Sequence, residues 1–558
     1  MSMKPKHLLI LGLTVLILFN ASILFSRFSS KSPSSSASRQ RHYELQTNEH
    51  PSLDVPSIFV EKMEGLEDED QLREQINQNN AQTTPGIIGG DESSARKEKI
   101  REAFIHAFQN GYMKHAFPRD ELLPISGGGY SPWISSHTQG MALSAIDALD
   151  TMWIMGYRKL FKDTVRRVVH HWETQSWPNG KISLFETVIR IIGGLVSAYE
   201  LSHEKPLLDL AQKVADRIMP AFSNQPPYNL PSCQINLLTQ HHSCPHWTEN
   251  TLILSEFSTI QVELIRLSEL TQNSQYKVAA DRVTEFLRAN PPRADGLYYV
   301  QLDTRSPVWR SKHVTLGMWG DSTYEYFLKQ WILTGGKDES HWDMYEKALN
   351  GIIDKLVVKS NKSGLVYIQE IRGDMPVNKM EHLVCFAGGM FALGAFQRKR
   401  LRGTYENYNR DMQLAKDFTK TCYETYKRMP SGLGPETTKW NVDSTNDFIV
   451  GINKYVLRPE TVESLFYLWK ITGEPMYKDW MWGIFEAIEK HCKTPAGYCS
   501  VKNVDTHEPE KVDQMHSYFL AETLKYMYLT FEEADVLPLT EWVFNTEAHP
   551  LRIQVDPK

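Results

Sequence analysis

The stretch YVLRPETVESLFYLW, residues 455–469, decides how the rest of the chain is interpreted. Pro459 has no backbone N–H to donate and pushes Arg458 toward an extended conformation, so the sequence predicts a helix that begins at Pro459. Apolar side chains then recur at helical spacing, at Val462, Leu465, Phe466 and Trp469. That spacing predicts a helix with one face buried against other elements.

Two carboxylates, Glu460 and Glu463, lie one turn apart at the start of this helix, beside Arg458. Acids in a first turn also complement the helix dipole, which is the simpler interpretation of one isolated helix. A similar arrangement recurs at several other predicted helices. The recurrence favours a functional role for these acids.

Composition limits the possible functions. The chain has 558 residues, of which 41% are apolar, so it can bury a large core. A net charge of -6 leaves no basic excess for binding phosphates, and no nucleic-acid partner is expected. No interior linker stands out after about residue 95, so a single catalytic domain is expected over residues 96–558.

The N-terminal region predicts membrane attachment. Residues 8–26 form a nearly continuous apolar run that is long enough to cross a bilayer, and Lys4 and Lys6 precede it. A cleaved signal peptide would show a shorter apolar region and a small-residue cleavage site, so an uncleaved signal anchor is favoured. The expected organisation is a single-pass type II protein, with a cytoplasmic tail over residues 1–7 and a mostly disordered lumenal stem over residues 27–95.

The cysteines agree with a lumenal location. Six are present, at positions 233, 244, 385, 422, 492 and 499, and an even number in an oxidising compartment allows three disulfides. None has metal-finger spacing, and the sequence alone leaves fifteen pairings open. The glycosylation sequon Asn361-Lys362-Ser363 is consistent with a lumenal surface loop.

Helical periodicity dominates the predicted catalytic domain, and strand-like alternation is rare. Amphipathic segments start near Asp147, Leu184, Leu254, Thr323, Leu383, Met412, Thr461 and Tyr518. Such a succession predicts an all-α toroid or solenoid of paired helices, in which loops at one end collect the functional residues.

Two further acids open predicted helices, and each also has a structural explanation. Glu186 forms a capping box with Ser183 and an i,i+4 ion pair with Arg190, while Asp321 suits an N-cap. Phe185 and its apolar neighbours surround Glu186, and a carboxyl in such surroundings resists ionising, as a general acid requires.

One more acid, Glu522, lies inside a predicted helix that is dense with apolar and aromatic residues, and Glu547 follows in the segment FNTEAHP near the end of the chain. For any single acid the structural explanation is at least as good as the functional one. Five acids, each at a helix mouth or on an apolar face, are better explained by a shared polar cavity.

Six segments carry a resemblance to a known family: AIDALDT (145–151), FETVIR (185–190), GDSTYEY (320–326), HLVCF (382–386), LRPETVES (457–464) and FNTEAHP (544–550). Over about residues 100–551 the chain resembles the class I α-mannosidases of glycoside hydrolase family 47. These are calcium-dependent α1,2-mannosidases that trim N-glycans in the endoplasmic reticulum and Golgi. The resemblance implies an all-α fold, an (α/α)7 barrel with the active site in its core and a C-terminal segment that reaches this site.

The resemblance also implies roles. Glu186 corresponds to the general acid, acting through a water, Glu460 to the base that activates the attacking water, and Asp321 to a third essential carboxylate. The family inverts anomeric configuration, which requires acid and base carboxyl groups roughly 6.5–9.5 Å apart. Thr546 matches the ligand of Ca²⁺, through its hydroxyl and carbonyl oxygens, and the ion would hold vicinal sugar hydroxyls.

Other matched positions line the sugar pocket of the family: Asp147, Glu256, His382, Arg458, Glu463, Tyr518, Glu522 and Glu547. Cys385 and Cys422 match the family's disulfide, whose loop is worth roughly 4 kcal/mol by the chain-entropy estimate. The remaining cysteines are then assigned by default as local pairs, Cys233 with Cys244 and Cys492 with Cys499.

This chain departs from the family pattern at two places. His516, in Met515-His516-Ser517-Tyr518, replaces an acid of the usual Met-Glu-Ser-Phe. Trp319 stands where the reticulum enzymes typically carry Arg and the Golgi enzymes Leu. Trp319 is therefore expected to contact the glycan by stacking, with looser selection between branches than Arg would give.

Two hypotheses follow. The first is a monomeric, membrane-anchored α1,2-mannosidase of the endoplasmic reticulum or Golgi that acts on high-mannose N-glycans. The alternative is a lectin-like degradation factor that binds mannose glycans on misfolded glycoproteins with little turnover. Retention of Glu186, Asp321, Glu460 and Thr546 together favours the enzyme, because a lectin needs neither acid, base nor ion.

Overall fold

Two kinds of helix alternate along the chain: helices that are largely buried and helices with one exposed face. They are seen in a computed structural model that describes residues 88–132, 140–222, 230–248, 251–442 and 445–554. The alternation follows from the sequence, because the first kind is largely apolar or small on every face, with a few polar and charged residues, and the second is amphipathic.

Seven buried helices form an inner ring within the described residues. They are α2 (Leu149–Ile154), α4 (Gly193–Ser202), α6 (Gln261–Thr271), α8 (Asp321–Leu333), α10 (Ala387–Arg402), α12 (Glu460–Thr472) and α14 (Leu524–Phe531). Four of them are preceded directly by a short helical segment: Leu143–Asp147 before α2, Thr187–Ile192 before α4, His382–Phe386 before α10 and Phe519–Thr523 before α14. These extra turns continue the inner helices toward one end of the ring.

Seven amphipathic helices form an outer ring in the same part of the chain. They are α1 (Ile88–Ile105), α3 (Arg158–Thr174), α5 (Lys205–Ile218), α7 (Ser274–Ala289), α9 (Glu339–Lys355), α11 (Tyr408–Lys427) and α13 (Met476–His491). Each outer helix from α3 to α13 packs on the inner helix that precedes it, and α1 packs on α14.

The inner ring is closed, because successive inner helices contact one another and the segment Phe519–Thr523 before α14 contacts α2. The prediction of an all-α (α/α)7 barrel is thus confirmed. The helix of residues 455–469 is confirmed as α12, although it begins at Glu460, with Pro459 as its N-cap.

Shorter elements fill the connections. Short helices occur at His106–Tyr112, Met113–His115, Leu184–Glu186, Met219–Phe222, His246–Thr248 and Leu254–Ser258. Strands of two to four residues form small antiparallel sheets of two or three strands. They lie at Glu121–Leu123, Gly128–Tyr130, Ile182–Ser183, Gln234–Ile235, His242–Ser243, Thr251–Ile253, Gln301–Asp303, His313–Val314, Val357–Lys359, Val366–Ile368, Glu370–Arg372, Met375–Val377, Lys379–Glu381, Thr437–Trp440, Phe448–Val450, Lys493–Thr494, Gly497–Tyr498, Ser500–Val501, Lys511–Val512, Trp542–Phe544 and Pro550–Arg552. Strands this short carry almost no alternating pattern, which is why the sequence did not predict them.

The last two strands, Trp542–Phe544 and Pro550–Arg552, form an antiparallel hairpin. The turn that joins them, residues 545–549, is buried against the inner helices. Gly193 makes room for it, since a Cβ at that position would lie 2.8 Å from the Asn545 side-chain nitrogen. The expected C-terminal segment that reaches the barrel core is therefore present.

Cysteine pairing agrees with the sequence in two cases and differs in the third. Disulfides join Cys385 to Cys422 and Cys233 to Cys244. The default pair Cys492 with Cys499 is wrong, because both residues are buried free thiols. They flank the tight hairpin of Lys493–Thr494 with Gly497–Tyr498, where the Cys499 N–H donates to the Cys492 carbonyl at 2.8 Å.

The predicted cytoplasmic tail (1–7) and signal anchor (8–26) lie outside the described residues, as does the predicted stem (27–95) up to residue 87. Among the helices that are described, none is long and apolar enough to cross a membrane. The sequon residue Asn361 is exposed at the turn between Val357–Lys359 and Val366–Ile368.

The thiol assignment predicts a labelling pattern. Alkylation in denaturant without reductant should modify two cysteines per chain, Cys492 and Cys499, while alkylation of the folded protein should modify neither, because both side chains are buried. Peptide mass spectrometry reads out both experiments. Complete resistance to labelling in denaturant would mean that these two residues form a third disulfide.

Candidate active site

Carboxylates converge on one cavity at the end of the ring where inner helices α8 and α12 begin. The cavity has a volume of about 60 Å³ and is bordered by Asp321, Ser322, Glu325, Leu383, Phe386, Glu460, Glu463, Glu522 and Thr546. Four of the residues predicted as site acids therefore share one space with the predicted metal ligand. The local cause is the helix N-terminus, which favours an acid in its first turn.

Glu460 is held in place by a histidine. The His382 Nδ1 lies 2.8 Å from the Glu460 Oε2, and the His382 Nε2 lies 2.6 Å from the Tyr426 hydroxyl. His382 is buried in the segment that precedes α10, so its ring cannot turn away. This arrangement fixes the direction of a carboxylate that remains partly open to the cavity.

Arg458 contacts a second acid, Glu436, more closely than it contacts Glu460. Its Nε and Nη2 donate to the two carboxylate oxygens of Glu436 at 2.7 and 2.9 Å, whereas its Nη1 lies 3.7 Å from Glu460. The bidentate pair holds the pKa of Glu436 below its ordinary value despite burial, which acts in the opposite direction. Leu457, just before Arg458, has a left-handed backbone with φ of +65°.

Glu463 lies deeper, beside a buried ion pair. Burial raises the pKa of Glu463 to about 8, with Lys329 lowering it and Glu325 raising it further. Lys329 donates to the Glu325 carboxylate on the same helix, α8. The single ammonium group of Lys329 thus faces two carboxylates and can neutralise only one of them. A proton on Glu463 removes the remaining negative charge.

On the opposite side of the site, Arg190 ties three predicted acids together. Its Nε donates to Glu186 at 2.6 Å, its Nη1 donates to Glu547, and the same nitrogen lies 3.7 Å from Asp147. The predicted ion pair and the cap from the Ser183 hydroxyl are confirmed. The Glu186 carboxylate thus has a guanidinium contact in addition to its apolar neighbours.

Two site acids have raised pKa values, and among the described residues no cation offsets the effect of burial on them. Burial raises the pKa of Asp321 to about 7, although hydrogen bonds from Ser322 and Ser255 favour the ionised form. Burial also raises the pKa of Glu256 to about 8, and the charges of Glu186 and Asp321 add to the effect. These two groups are therefore candidates to hold protons near neutral pH.

Glu522 connects the two sides. Burial raises its pKa well above the ordinary value, and Glu547, Glu463 and Glu460 act in the same direction. Glu547 itself has a pKa raised to about 8 by burial, which the Arg190 guanidinium only partly opposes. The acids predicted from scattered sequence segments thus influence one another directly.

Tyr518 closes one wall of the site. Its hydroxyl donates to the Val456 carbonyl at 2.7 Å, and the Arg190 guanidinium lies 5.8 Å from its ring centre. His516, at the position where the family pattern has an acid, stacks on Tyr518 and places its Nδ1 3.1 Å from the Glu121 carboxylate. His516 therefore lies within hydrogen-bonding distance of a buried acid.

The oxygens of Thr546 are available to a cation. Its backbone N–H donates to the Tyr326 hydroxyl at 3.3 Å, and within the described part of the chain neither its hydroxyl nor its carbonyl oxygen has a hydrogen-bond partner. Thr546 borders the same cavity as the carboxylates of Asp321, Glu460, Glu463 and Glu522. This oxygen-only donor set suits a hard divalent cation. No cluster of three or more His, Cys, Asp or Glu side chains with metal-binding geometry occurs among the described residues.

Sequence reasoning did not select three residues of this site: Arg190, Glu325 and Glu436. Glu325 lies one turn after Asp321 and one turn before Lys329, a spacing that could have identified it. Arg190 was interpreted only as the partner of Glu186. Glu436 carries no local signal, because only the fold brings it to Arg458.

Comparison with known proteins follows this geometry. The sequence profile described as "Glycosyl hydrolase family 47" matches residues 103–553. The mannosyl-oligosaccharide alpha-1,2-mannosidase IA of Drosophila melanogaster is 37% identical over 491 residues, which cover 86% of this chain and 72% of the relative. The endoplasmic reticulum mannosyl-oligosaccharide 1,2-alpha-mannosidase of Rattus norvegicus is 38% identical over 467 residues, covering 82% and 68%.

A solved structure, the alpha-1,2-mannosidase from Trichoderma reesei, superposes with a TM-score of 0.75 at 27% sequence identity. The alignment covers 83% of this chain and 99% of that structure. The profile match spans the whole barrel, and the relatives exceed 35% identity over most of it. On these grounds the chain belongs to glycosyl hydrolase family 47.

Proposed function

We propose that this protein is an inverting 1,2-α-mannosidase that removes terminal mannose from high-mannose N-glycans. The observation that carries the proposal is the cavity in which Asp321, Glu460, Glu522 and Thr546 meet. Such a cavity supplies the carboxylate of the base and oxygen atoms for a cation, while Glu186 lies on the opposite side of the site. The relatives named as mannosyl-oligosaccharide 1,2-α-mannosidases support the same substrate class.

Glu460 acts as the general base in this proposal. His382 fixes its carboxylate at 2.8 Å, and Tyr426 fixes His382 in turn, so one oxygen of Glu460 is oriented to accept a proton from an attacking water. Inversion requires room for that water between acid and base.

Glu186 is assigned as the general acid, acting through a water, and Arg190 orients its carboxylate. Asp321 and Glu256 provide a reserve of protons beside it, because burial raises their pKa values to about 7 and about 8. A carboxyl that stays neutral near pH 7 can donate a hydrogen bond to a leaving oxygen. We assign Asp321 as the third essential carboxylate on this basis.

The remaining predicted residues bind the sugar. Arg458 and His382 orient acids around it, Tyr518 offers a ring face, and the buried acids offer hydrogen bonds to its hydroxyls. The set comprises Asp147, Glu256, His382, Arg458, Glu463, Tyr518, Glu522 and Glu547, with Trp319 at the rim.

Thr546 would hold Ca²⁺ through its hydroxyl and carbonyl oxygens, with the surrounding carboxylates of Glu463 and Glu522 contributing negative charge. When bound, such an ion supplies a fixed positive charge that orients vicinal hydroxyls of the sugar. The raised pKa of Glu463 at about 8 is consistent with a site that has more acids than cations of its own. A cation there would offset this repulsion.

The lectin-like alternative is not favoured. Binding a mannose residue needs hydrogen bonds and a ring face. The buried sugar-binding acids already provide the first and Tyr518 the second. Such binding does not need the His382–Glu460 pair or a carboxyl kept protonated at Asp321. We further propose that the protein acts as a monomer in the lumen of the endoplasmic reticulum or Golgi, attached through residues 8–26, with residues 96–558 as its catalytic domain.

The proposal is tested by the product. The purified protein should release free mannose from a nine-mannose N-glycan, with the β-anomer appearing first by proton NMR, because inversion converts the α-linkage. Glu460→Gln should lower kcat at least a thousandfold while retaining glycan binding, since the amide keeps the shape but accepts no proton. Early appearance of the α-anomer would exclude inversion, and an unchanged rate in the variant would remove Glu460 from the mechanism.

Metal removal provides a second test. Treatment with chelator should abolish activity, and Ca²⁺ should restore it, because the protein has no cation placed to hold the sugar hydroxyls as the ion would. Thr546→Ala should raise the Ca²⁺ concentration needed for half-maximal recovery by about tenfold or more, whereas Thr546→Ser, which keeps both oxygens, should shift it little. Full activity in excess chelator, with no metal found in the protein, would contradict the assignment.

The raised pKa of Glu256 predicts a pH-dependent effect on stability. The folded protein retains the Glu256 proton up to about pH 8, whereas the unfolded chain releases it near its ordinary pKa of 4.5, so stability falls as pH rises between these values. Glu256→Gln removes this loss. Denaturant unfolding of the metal-free proteins should show similar stability at pH 5 and a gain for the variant on the order of 2 kcal/mol at pH 8. An equal difference at both pH values would mean that Glu256 does not titrate in this range.

A further inference from the structure

An exposed tryptophan, Trp247, lies beside Trp319 at the rim of the site and has no part in the chemistry described so far. Trp247 is 62% exposed, which is a large fraction for a side chain as large as that of tryptophan. Its ring stacks on that of Trp319, with centroids 6.4 Å apart and planes inclined by 29°. Met318, next to Trp319, is 53% exposed. Together, Trp247, Met318 and Trp319 form an apolar surface, called here the rim platform.

The backbone under the rim platform is strained and firmly held. Trp319 has a φ of +82°, in the left-handed region that a large side chain rarely adopts. The Met318 N–H donates to the Glu381 carboxylate at 2.7 Å, and the Trp319 carbonyl accepts from the Ser255 N–H at 3.0 Å. Strain that persists under such constraint points to a functional placement of the side chain.

The constraints tie the rim platform to the site. Ser255 directly precedes Glu256, Glu381 directly precedes His382, and Trp319 precedes Asp321 by two residues. The Cα of Trp319 is therefore within about 8 Å of the Cα of Asp321. A glycan seated in the cavity extends beyond it, and the rim platform is joined through these contacts to the segments that carry the site acids.

From these contacts, and resting on the function proposed above, we infer that Trp247 together with Trp319 binds a mannose residue of the glycan other than the one being cleaved. The apolar C–H face of a hexose stacks on an aromatic ring, and Trp offers the largest such face. Trp319 alone is half-buried against its own turn. Trp247 supplies the open face, which makes it a specificity residue for large glycans.

A purely structural role explains the observations less well. A tryptophan that only completed the core would be buried, as Trp331, Trp342, Trp440 and Trp542 are. Contact with Trp319 leaves most of the Trp247 ring in solvent. The exposure is therefore the feature that needs an explanation, and a stacked sugar supplies one.

The test compares two substrates that differ only in what reaches the rim. For the unmodified protein, Trp247→Ala and Trp247→Phe, kcat/KM is measured on a nine-mannose N-glycan and on α1,2-linked mannobiose. Trp247→Ala should lower the ratio of the two values about fivefold or more, mainly through KM for the glycan, and Trp247→Phe should retain most of it. Val278→Ala, an exposed apolar residue on the outer helix α7, serves as the matched control and should leave the ratio unchanged.

The outcomes separate this inference from the function on which it rests. If the unmodified protein releases mannose from neither substrate, the proposed function fails. If it hydrolyses both and Trp247→Ala leaves the ratio within the range of the Val278→Ala control, the inference alone is overturned. Melting temperatures of all variants are compared with that of the unmodified protein, and equal values assign a lowered ratio to the rim platform rather than to unfolding.

Discussion

The structure depends on the burial of one polar turn, residues 545–549, among the inner helices of the barrel. A buried backbone must find partners for its polar groups, and here the carbonyls of Asn545 and Ala548 accept from the ammonium groups of Lys329 and Lys525 at 3.0 and 2.6 Å. The Asn545 side chain donates to Glu263 at 2.8 Å. These contacts explain why charged residues occur inside otherwise apolar helices, and they deliver Thr546 to the cavity.

The same burial sets the electrostatics of the site. Lys329 and Lys525 are shared between the turn and carboxylates, Glu325 in the first case and Asp150 in the second. Little positive charge is left for Asp321, Glu463 and Glu522, and burial raises the pKa of each of them. In such a site the buried carboxylates repel one another, and a bound cation or a proton reduces this repulsion. The barrel provides the stability that such a site requires, because the fourteen packed helices of the described part of the chain surround it.

Much of this architecture could be predicted from the sequence, for reasons that differ by level. Helix positions followed from periodicity. The acids Asp321 and Glu460 could be placed at helix starts because clear start signals lie beside them. Pairing across the fold could not be deduced in the same way. Glu436 lies in a connection without periodicity, and its bidentate bond to Arg458 exists only because the loops converge. Likewise, nothing in the sequence distinguished the free thiol of Cys492 from a disulfide partner.

Closure of the ring joins the two ends of the described chain. Helix α1 packs on α14, and the Ser93 hydroxyl donates to the Phe531 carbonyl at 3.2 Å, across a separation of 438 residues. Neighbouring helix pairs can form locally, as in an open solenoid, but the last interface needs a contact of very long range. Contacts of this kind slow folding, because the entropy of closing the loop is lost before the contact is gained. A nascent chain would therefore expose the inner faces of its first helices until α14 had been synthesised, and would need protection from aggregation throughout that interval.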